Sequence, residues 1–247
     1  MRILYGFIAA AFIAVSAFAG EVKVAVAANV QNAFGDLAKA FNVDNPDIKL
    51  LPTFGPSGAF TTQIKNGAPF DLFLSADMKF PSELFDLGLA VDKPVVYAQG
   101  ALALFTVQKF DLSKGLEVLK DAKVVKISIA NPDTAPYGRA SVEALKNAKV
   151  YDEKKLVQAE SIGQVVAQTT TAADVGFVAK STFFTETNKY KEGVNWVSVD
   201  PSLYTPIDQG IVIVKASEKN DEAKKFYDFI LGENGKKVFT DYGYRVK

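Results

Sequence analysis

The sequence predicts an α/β chain of two lobes, each a mainly parallel sheet flanked by helices, joined through a double-crossover hinge. Three observations carry that expectation. From residue 22 onward, apolar strand-like runs alternate with amphipathic helical runs, the order that builds a parallel sheet with helices on both faces. Two strand-like segments, near Tyr97–Gly100 and Tyr204–Gln209, are placed to run between lobes, so the first lobe would hold both ends of the mature chain. Finally, the chain passes four times from a strand through a small loop into a helix start, around Asn29, Ser57, Tyr137 and Ile162.

The elements follow in order. Met1-Arg2, an apolar run from Ile3 to Val15 and the small-x-small site Ala17-Phe18-Ala19 predict a signal peptide over residues 1–19, cleaved before Gly20. That run is at or below the roughly 17 residues a membrane-spanning helix needs, and no second long apolar run follows. Val22–Ala27 reads as a buried strand. Asn29 then opens a helix to about Phe41, with Val30, Ala33, Phe34, Leu37, Ala38 and Phe41 at helical spacing. Ile48–Phe54 is the next strand, Gly55-Pro56-Ser57-Gly58 a turn, Ala59–Lys65 a short helix, Asp71–Ser75 a strand and Pro81–Leu87 a helix. Val95–Val107 reads as a long strand or strand pair interrupted at Gln99-Gly100. Val124–Ala130 and Val175–Val178 are expected as central strands of the second unit, with helices near Tyr137–Asn147, Ile162–Thr170 and Ser181–Phe184. Trp196–Val199 and Ile211–Val214 are further strands. Helices at Asp221–Leu231 and Glu233–Tyr242, separated by Gly232, close the chain. Residues 20–98 and 208–247 are thus assigned to the first lobe and residues 99–207 to the second.

Composition narrows the chemistry. The 247 residues contain no cysteine and no histidine, which removes disulfides, thiol nucleophiles, Ser-His-Asp triads and His-metal sites. The 28 basic and 28 acidic residues balance, and loss of the leader removes only Arg2, leaving 27 basic residues and a formal charge of −1. Such a balance predicts no nucleic-acid partner. An exported chain without a lipid anchor or a spanning helix points to a periplasm.

The candidate chemistry lies at the four helix starts. The first N–H groups of a helix have no partner within it, and the helix dipole adds about half a positive charge there, so such ends bind anions without Lys or Arg. Asn29 is suited either to cap its helix or to offer its amide to a ligand. Ser57 brings a hydroxyl beside its own N–H, or is an ordinary helix start. Tyr137 offers an N–H and a hydroxyl, or closes its loop as a buried aromatic. Ile162 reads as core, with only its backbone N–H to offer. Asp71 and Asp77 are read as structural, Asp133 and Arg139 as loop and surface residues, Trp196 as packing in the second lobe, and Tyr242-Gly243-Tyr244 as C-terminal packing. Four converging helix starts in a chain without an acid–base pair point to an anion receptor rather than an enzyme.

At this point the chain resembles a known family, the periplasmic molybdate-binding proteins of ABC importers, which are type II solute-binding proteins. The resemblance spans the mature chain. It is clearest in Ala27-Ala28-Asn29, the run GlyAlaProPheAspLeuPheLeuSerAlaAsp at 67–77, Asn131-Pro132, Ala144-Leu145, Val175-Gly176-Phe177-Val178 and Tyr242-Gly243-Tyr244. It implies a two-lobed periplasmic binding protein whose oxyanion, molybdate or tungstate, is contacted by Asn29, Ser57, Tyr137 and Ile162, with Ala28 adding at most its backbone. Some relatives carry a Tyr after the GlyPheVal-type strand, where this chain has Ala179, so a fifth side-chain donor is not implied. The resemblance further implies a monomer that needs no cofactor, holds metal only as the oxyanion and delivers it to a membrane permease. A receptor of the same architecture for sulfate or an organic acid is the nearest alternative, and an enzyme on the same scaffold is the alternative of a different class.

Overall fold

The computed structural model describes residues 20–185 and 187–246; the expected leader at 1–19 lies outside them. The chain starts with β1 (Gly20–Ala27), α1 (Gln31–Asn42), β2 (Ile48–Gly55), α2 (Ser57–Lys65), β3 (Leu72–Leu74), α3 (Lys79–Asp86) and β4 (Val95–Gly100). It continues with β5 (Leu102–Phe105), β6 (Ile127–Ala130), α4 (Pro136–Asn147), β7 (Leu156–Ala159), α5 (Ile162–Thr171), β8 (Val175–Ala179) and β9 (Trp196–Ser198). It closes with β10 (Ile207–Ile213), α6 (Asp221–Leu231) and α7 (Glu233–Asp241). Two five-stranded sheets result, in the orders β2-β1-β3-β10-β4 and β7-β6-β8-β5-β9.

In the first sheet β1 is parallel to β2 and β3, while β10 is antiparallel to β3 and β4. Four strands therefore share one direction and β10 opposes them. In the second sheet β6 is parallel to β7 and β8, while β5 is antiparallel to β8 and β9. Here β5 is the one strand opposed to the other four. The two exceptions have one cause. β5 is the strand by which the chain enters the second sheet, and β10 is the strand by which it re-enters the first. Each arrives directly from the other sheet and has no crossover helix to turn it parallel.

The cores follow from the pleat. Val22, Val24 and Val26 of β1 face one side, where Phe34, Leu37 and Phe41 of α1 meet Phe226 of α6 and Phe239 of α7. Phe41 and Phe226 pack edge-on with ring centroids 5.0 Å apart. Ala25 points the other way, into a core with Phe73, with Phe60 and Ile64 of α2, and with Phe80 and Leu84 of α3. The edge position of β2 explains how Pro52 is tolerated within it, since a ladder N–H is dispensable there. The second lobe gathers around Phe105, Ile127, Ile129, Phe177 and Val178, and its packing cluster reaches Ala27 and Ala76 at the lobe boundary. Trp196 stacks on Phe183 at 4.7 Å in that lobe, in line with its expected packing role.

Several elements differ from expectation for local reasons. β7 is a four-residue edge strand with only Ala159 buried, so it has no apolar run to announce it. Leu112–Lys120 forms a 3-10 segment broken at Gly115, with Leu112, Leu116 and Leu119 buried at helical spacing. β10 starts at Ile207, ahead of the apolar run at 211, because polar Asp208 and Gln209 carry the strand back to the hinge. The helix expected from Asn29 begins as a 3-10 turn, Ala28–Val30, and continues as α1.

Gly138 lets α4 settle against the end of β6. A Cβ there would lie 2.1 Å from the Ala130 carbonyl oxygen, a backbone atom that has no rotamer to move away with. Gly138→Ala is expected to cost about 1–3 kcal/mol or more of stability. A denaturant midpoint unchanged from the parent protein would refute this reading of the contact.

Candidate functional site

Ala28, Asn29, Ser57, Tyr137 and Ile162 all line one cavity between the lobes, about 230 Å³ including its mouth. Ala27, Gly55, Pro56, Ala76, Ala135, Pro136 and Ser161 complete the wall, so no charged side chain lines it. The first lobe contributes the starts of the 28–30 turn and α2, and the second contributes the starts of α4 and α5. A larger neighbouring cleft of about 750 Å³ is lined by the carboxylates of Asp77, Glu143 and Asp208 together with the cations of Lys79 and Arg139, so it differs from the uncharged cavity in carrying charges of both signs.

Local bonding shows which donors each start has left. In α4, Pro136 has no N–H, and the N–H groups of Gly138 and Arg139 bond Ala135 O, which leaves that of Tyr137. In α5, Gln164 N bonds Ser161 Oγ and Val165 N bonds Ser161 O, which leaves Ile162 and Gly163. In α2, Gly58 N donates across the cleft to Thr134 O at 2.9 Å and Phe60 N bonds Pro56 O, leaving the N–H groups of Ser57 and Ala59. Ser57 Oγ accepts from Ala76 N at 3.0 Å, so its own proton is available to donate. Ile162 reconciles its two readings: its side chain belongs to the second-lobe core and its backbone opens a helix on the cavity.

The side chain of Asn29 does neither of the things its position suggests. No side-chain bond caps the turn. Its Nδ2 instead donates to Gln209 Oε1 and to Tyr244 Oη, each at 3.0 Å, while Ala28 and Asn29 line the cavity. Gln209 is fully buried and also accepts from Tyr97 Oη at 2.8 Å, while its Nε2 donates to Tyr137 Oη at 3.1 Å. Tyr244 Oη donates to Asn29 O at 2.7 Å, and Ser181 Oγ donates to the same carbonyl at 3.1 Å. Gln209, Tyr97 and Ser181 carry no motif that marks them in the sequence, and Tyr244 does more than the packing expected of it. The one signal is a Gln-Gly pair inside the strand Ile207–Ile213.

Arg139 is not the surface residue its loop context suggests. From the second lobe its Nη2 donates to Asp77 Oδ2 in the first, and its guanidinium lies 5.4 Å from the centroid of the Phe80 ring. Asp77 also accepts from Phe80 N at the start of α3, and Asp71 accepts from Lys23 N, so both carboxylates hold structure together as expected. Asp133 is exposed and absent from the cavity wall, as expected of a loop residue. Among the described residues, no group of three or more acidic side chains could hold a metal ion, and no helix is long and apolar enough to cross a membrane.

Two α/β lobes joined by two crossings, with an uncharged cavity at converging helix starts, define a class of ligand-capturing receptors. The chain belongs to the family of bacterial extracellular solute-binding proteins, which matches residues 22–245. It is 37% identical to the molybdate-binding protein ModA of Azotobacter vinelandii, over 96% of this chain and 95% of that one. In structure it resembles the periplasmic molybdate-binding protein of Azotobacter vinelandii, with a TM-score of 0.85, 30% identity and coverage of 92% of this chain and 99% of that one. The sulfate-binding protein SubI of Mycobacterium tuberculosis shares the fold at a TM-score of 0.73 and 14% identity, covering 92% of this chain and 87% of that one. The fold by itself therefore does not choose the anion.

Burial pushes the hydroxyls of Tyr97 and Tyr137 well above the ordinary tyrosine range and that of Tyr244 up to about 12. The folded state thus holds these protons more tightly than the unfolded chain. Their contribution to stability is fully present below about pH 10, the ordinary tyrosine value, and is lost as pH rises through the folded values. Tyr244→Phe should make the alkaline loss of stability less steep. Denaturant unfolding between about pH 9 and 12 measures it, and identical slopes in the two proteins would contradict the assignment.

Proposed function

We propose that this protein is a periplasmic receptor that captures molybdate or tungstate between its lobes and delivers it to the membrane permease of an ABC importer. The single observation that carries this reading is the cavity of helix starts from both lobes with no charged side chain in its wall. The names of the two Azotobacter vinelandii proteins above agree with it. The proposed contacts are the backbone at Ala28 and Asn29, the N–H and hydroxyl of Ser57, and the N–H groups of Tyr137 and Ile162.

The chemistry of the donors selects the ligand. Hydrogenphosphate would bring a P–OH into a site of donors, where its proton finds no acceptor and a buried polar group is left unsatisfied. Sulfate has the right charge and no proton but shorter bonds. In a cage set for a larger tetrahedron its oxygens fall short of some donors, and each weakened bond to a charged group costs on the order of 1 kcal/mol. Molybdate and tungstate are close in size, so both are taken as ligands.

Residues 20–98 with 208–247, and residues 99–207, would be the two bodies that close on the anion, bending where the chain crosses. The closed shape would be the form the permease recognises. The protein would work as a monomer without catalysis, cofactor or nucleic acid, after cleavage of the leader following Ala19.

Calorimetric titration of residues 20–247 with molybdate, tungstate, sulfate and phosphate under one set of conditions tests the reading. The first two are expected to bind far more tightly, and Ser57→Ala should weaken them by about 1–3 kcal/mol. Sulfate binding equal to that of molybdate would overturn the size argument. Tight phosphate binding would place an acceptor in the site.

A further inference from the structure

We infer that Gln209 is a positioning residue that couples closure of the two lobes to assembly of the anion site, an inference that rests on the function proposed above. Gln209 is fully buried and its amide reaches both lobes. Its Oε1 accepts from Asn29 Nδ2 and Tyr97 Oη, in the first lobe, and its Nε2 donates to Tyr137 Oη, in the second. Asn29 and Tyr137 stand at two of the helix starts that line the cavity. One side chain that does not line the cavity thereby fixes two proposed anion donors relative to each other across the cleft.

The local backbone is built for this arrangement. β10 pairs with β4 through a register shift between Gln209 and Gly210, and a bulge of this kind re-aims a side chain out of the regular pleat. Two residues along the ladder from the Gln209–Ala98 pair, Gly100 pairs with Ile207 and ends β4 at the outgoing crossing. A Cβ on Gly100 would lie 2.0 Å from Tyr137 Oη and 2.6 Å from Gln209 Nε2. The Gln209–Tyr137 hydrogen bond therefore sits directly on the crossing backbone, at a point that only glycine leaves open.

On this inference the bond to Tyr137 forms when α4 is seated on the hinge, and so adds to the closed form and not to the open one. Its loss should speed anion release and leave capture, which starts from the open form, unchanged. A role confined to stability would lower the unfolding temperature and leave the dissociation rate as it is.

The test compares the mature protein with Gln209→Met, Tyr137→Phe and the double variant. Molybdate association and dissociation rates are followed by stopped flow, and thermal unfolding is measured without ligand. Tyr137→Phe leaves the bonds of Gln209 to Asn29 and Tyr97 intact, so it reports on the interlobe contact even if Gln209→Met folds poorly. Each single variant is expected to release molybdate about tenfold to a hundredfold faster at an unchanged association rate. The double variant should release it no faster than the more affected single variant. Parent-like dissociation in both single variants, or losses that multiply in the double variant, would overturn the inference. Failure of the parent protein to bind molybdate would instead refute the proposed function, and the two failures are thereby distinguished.

Discussion

The structure turns on the unpaired N–H groups at the starts of helices. Each helix leaves its first donors without a partner, and burying them unsatisfied is costly. Here four such starts are brought to one cavity, two from each sheet. That is possible because the chain leaves the first sheet between Gly100 and Leu102 and returns to it at Ile207, which puts the helix-bearing ends of the two lobes face to face. The antiparallel strands β5 and β10 are the direct consequence of those two crossings. An anion that accepts from every start satisfies donors that neither lobe satisfies alone, which links ligand capture to lobe contact.

Charge is arranged to leave that cavity neutral. The guanidinium of Arg139 donates through Nη2 to Asp77 across the cleft and lies against Phe80, while its buried Nη1 has no hydrogen-bond partner. The pair is partly buried, with side-chain exposures of 30% and 13%, so its contribution to stability is modest. Its placement matters more than its strength, because it joins the lobes while Arg139 stays out of the wall of the uncharged cavity. Under the proposed function, the dipoles of the helix starts and the Ser57 hydroxyl would supply the neutralisation and would favour an anion without a proton of its own.

How much of this is legible in the sequence depends on whether the signal is local. The valines of β1 and the apolar face of α1 show their periods within a dozen residues, so strand, turn and helix start can be placed. The same holds for the turns at Ser57, Tyr137 and Ile162. The hinge network is not legible, because its partners are distant in sequence. Gln209 meets Tyr97 over 112 residues and Asn29 over 180, and Tyr244 meets Asn29 over 215. Nothing near Asn29 tells that its amide will be drawn to Gln209 rather than to its own helix. Arg139 is hidden for the same reason, since Asp77 lies 62 residues away and only the approach of the lobes makes them neighbours. β7 escapes notice because an exposed edge strand of four residues carries no period to read.

The central claim is that an oxyanion is held by uncharged donors at helix starts from both lobes. A crystal structure of the mature protein with tungstate, located by its anomalous scattering, tests it most directly. The account predicts the metal within the cavity lined by Asn29, Ser57, Tyr137 and Ile162, its oxygens at hydrogen-bonding distance from their N–H groups, with Arg139 still on Asp77. An anion bound to Arg139, or seated in the neighbouring cleft beside Asp208, would contradict it.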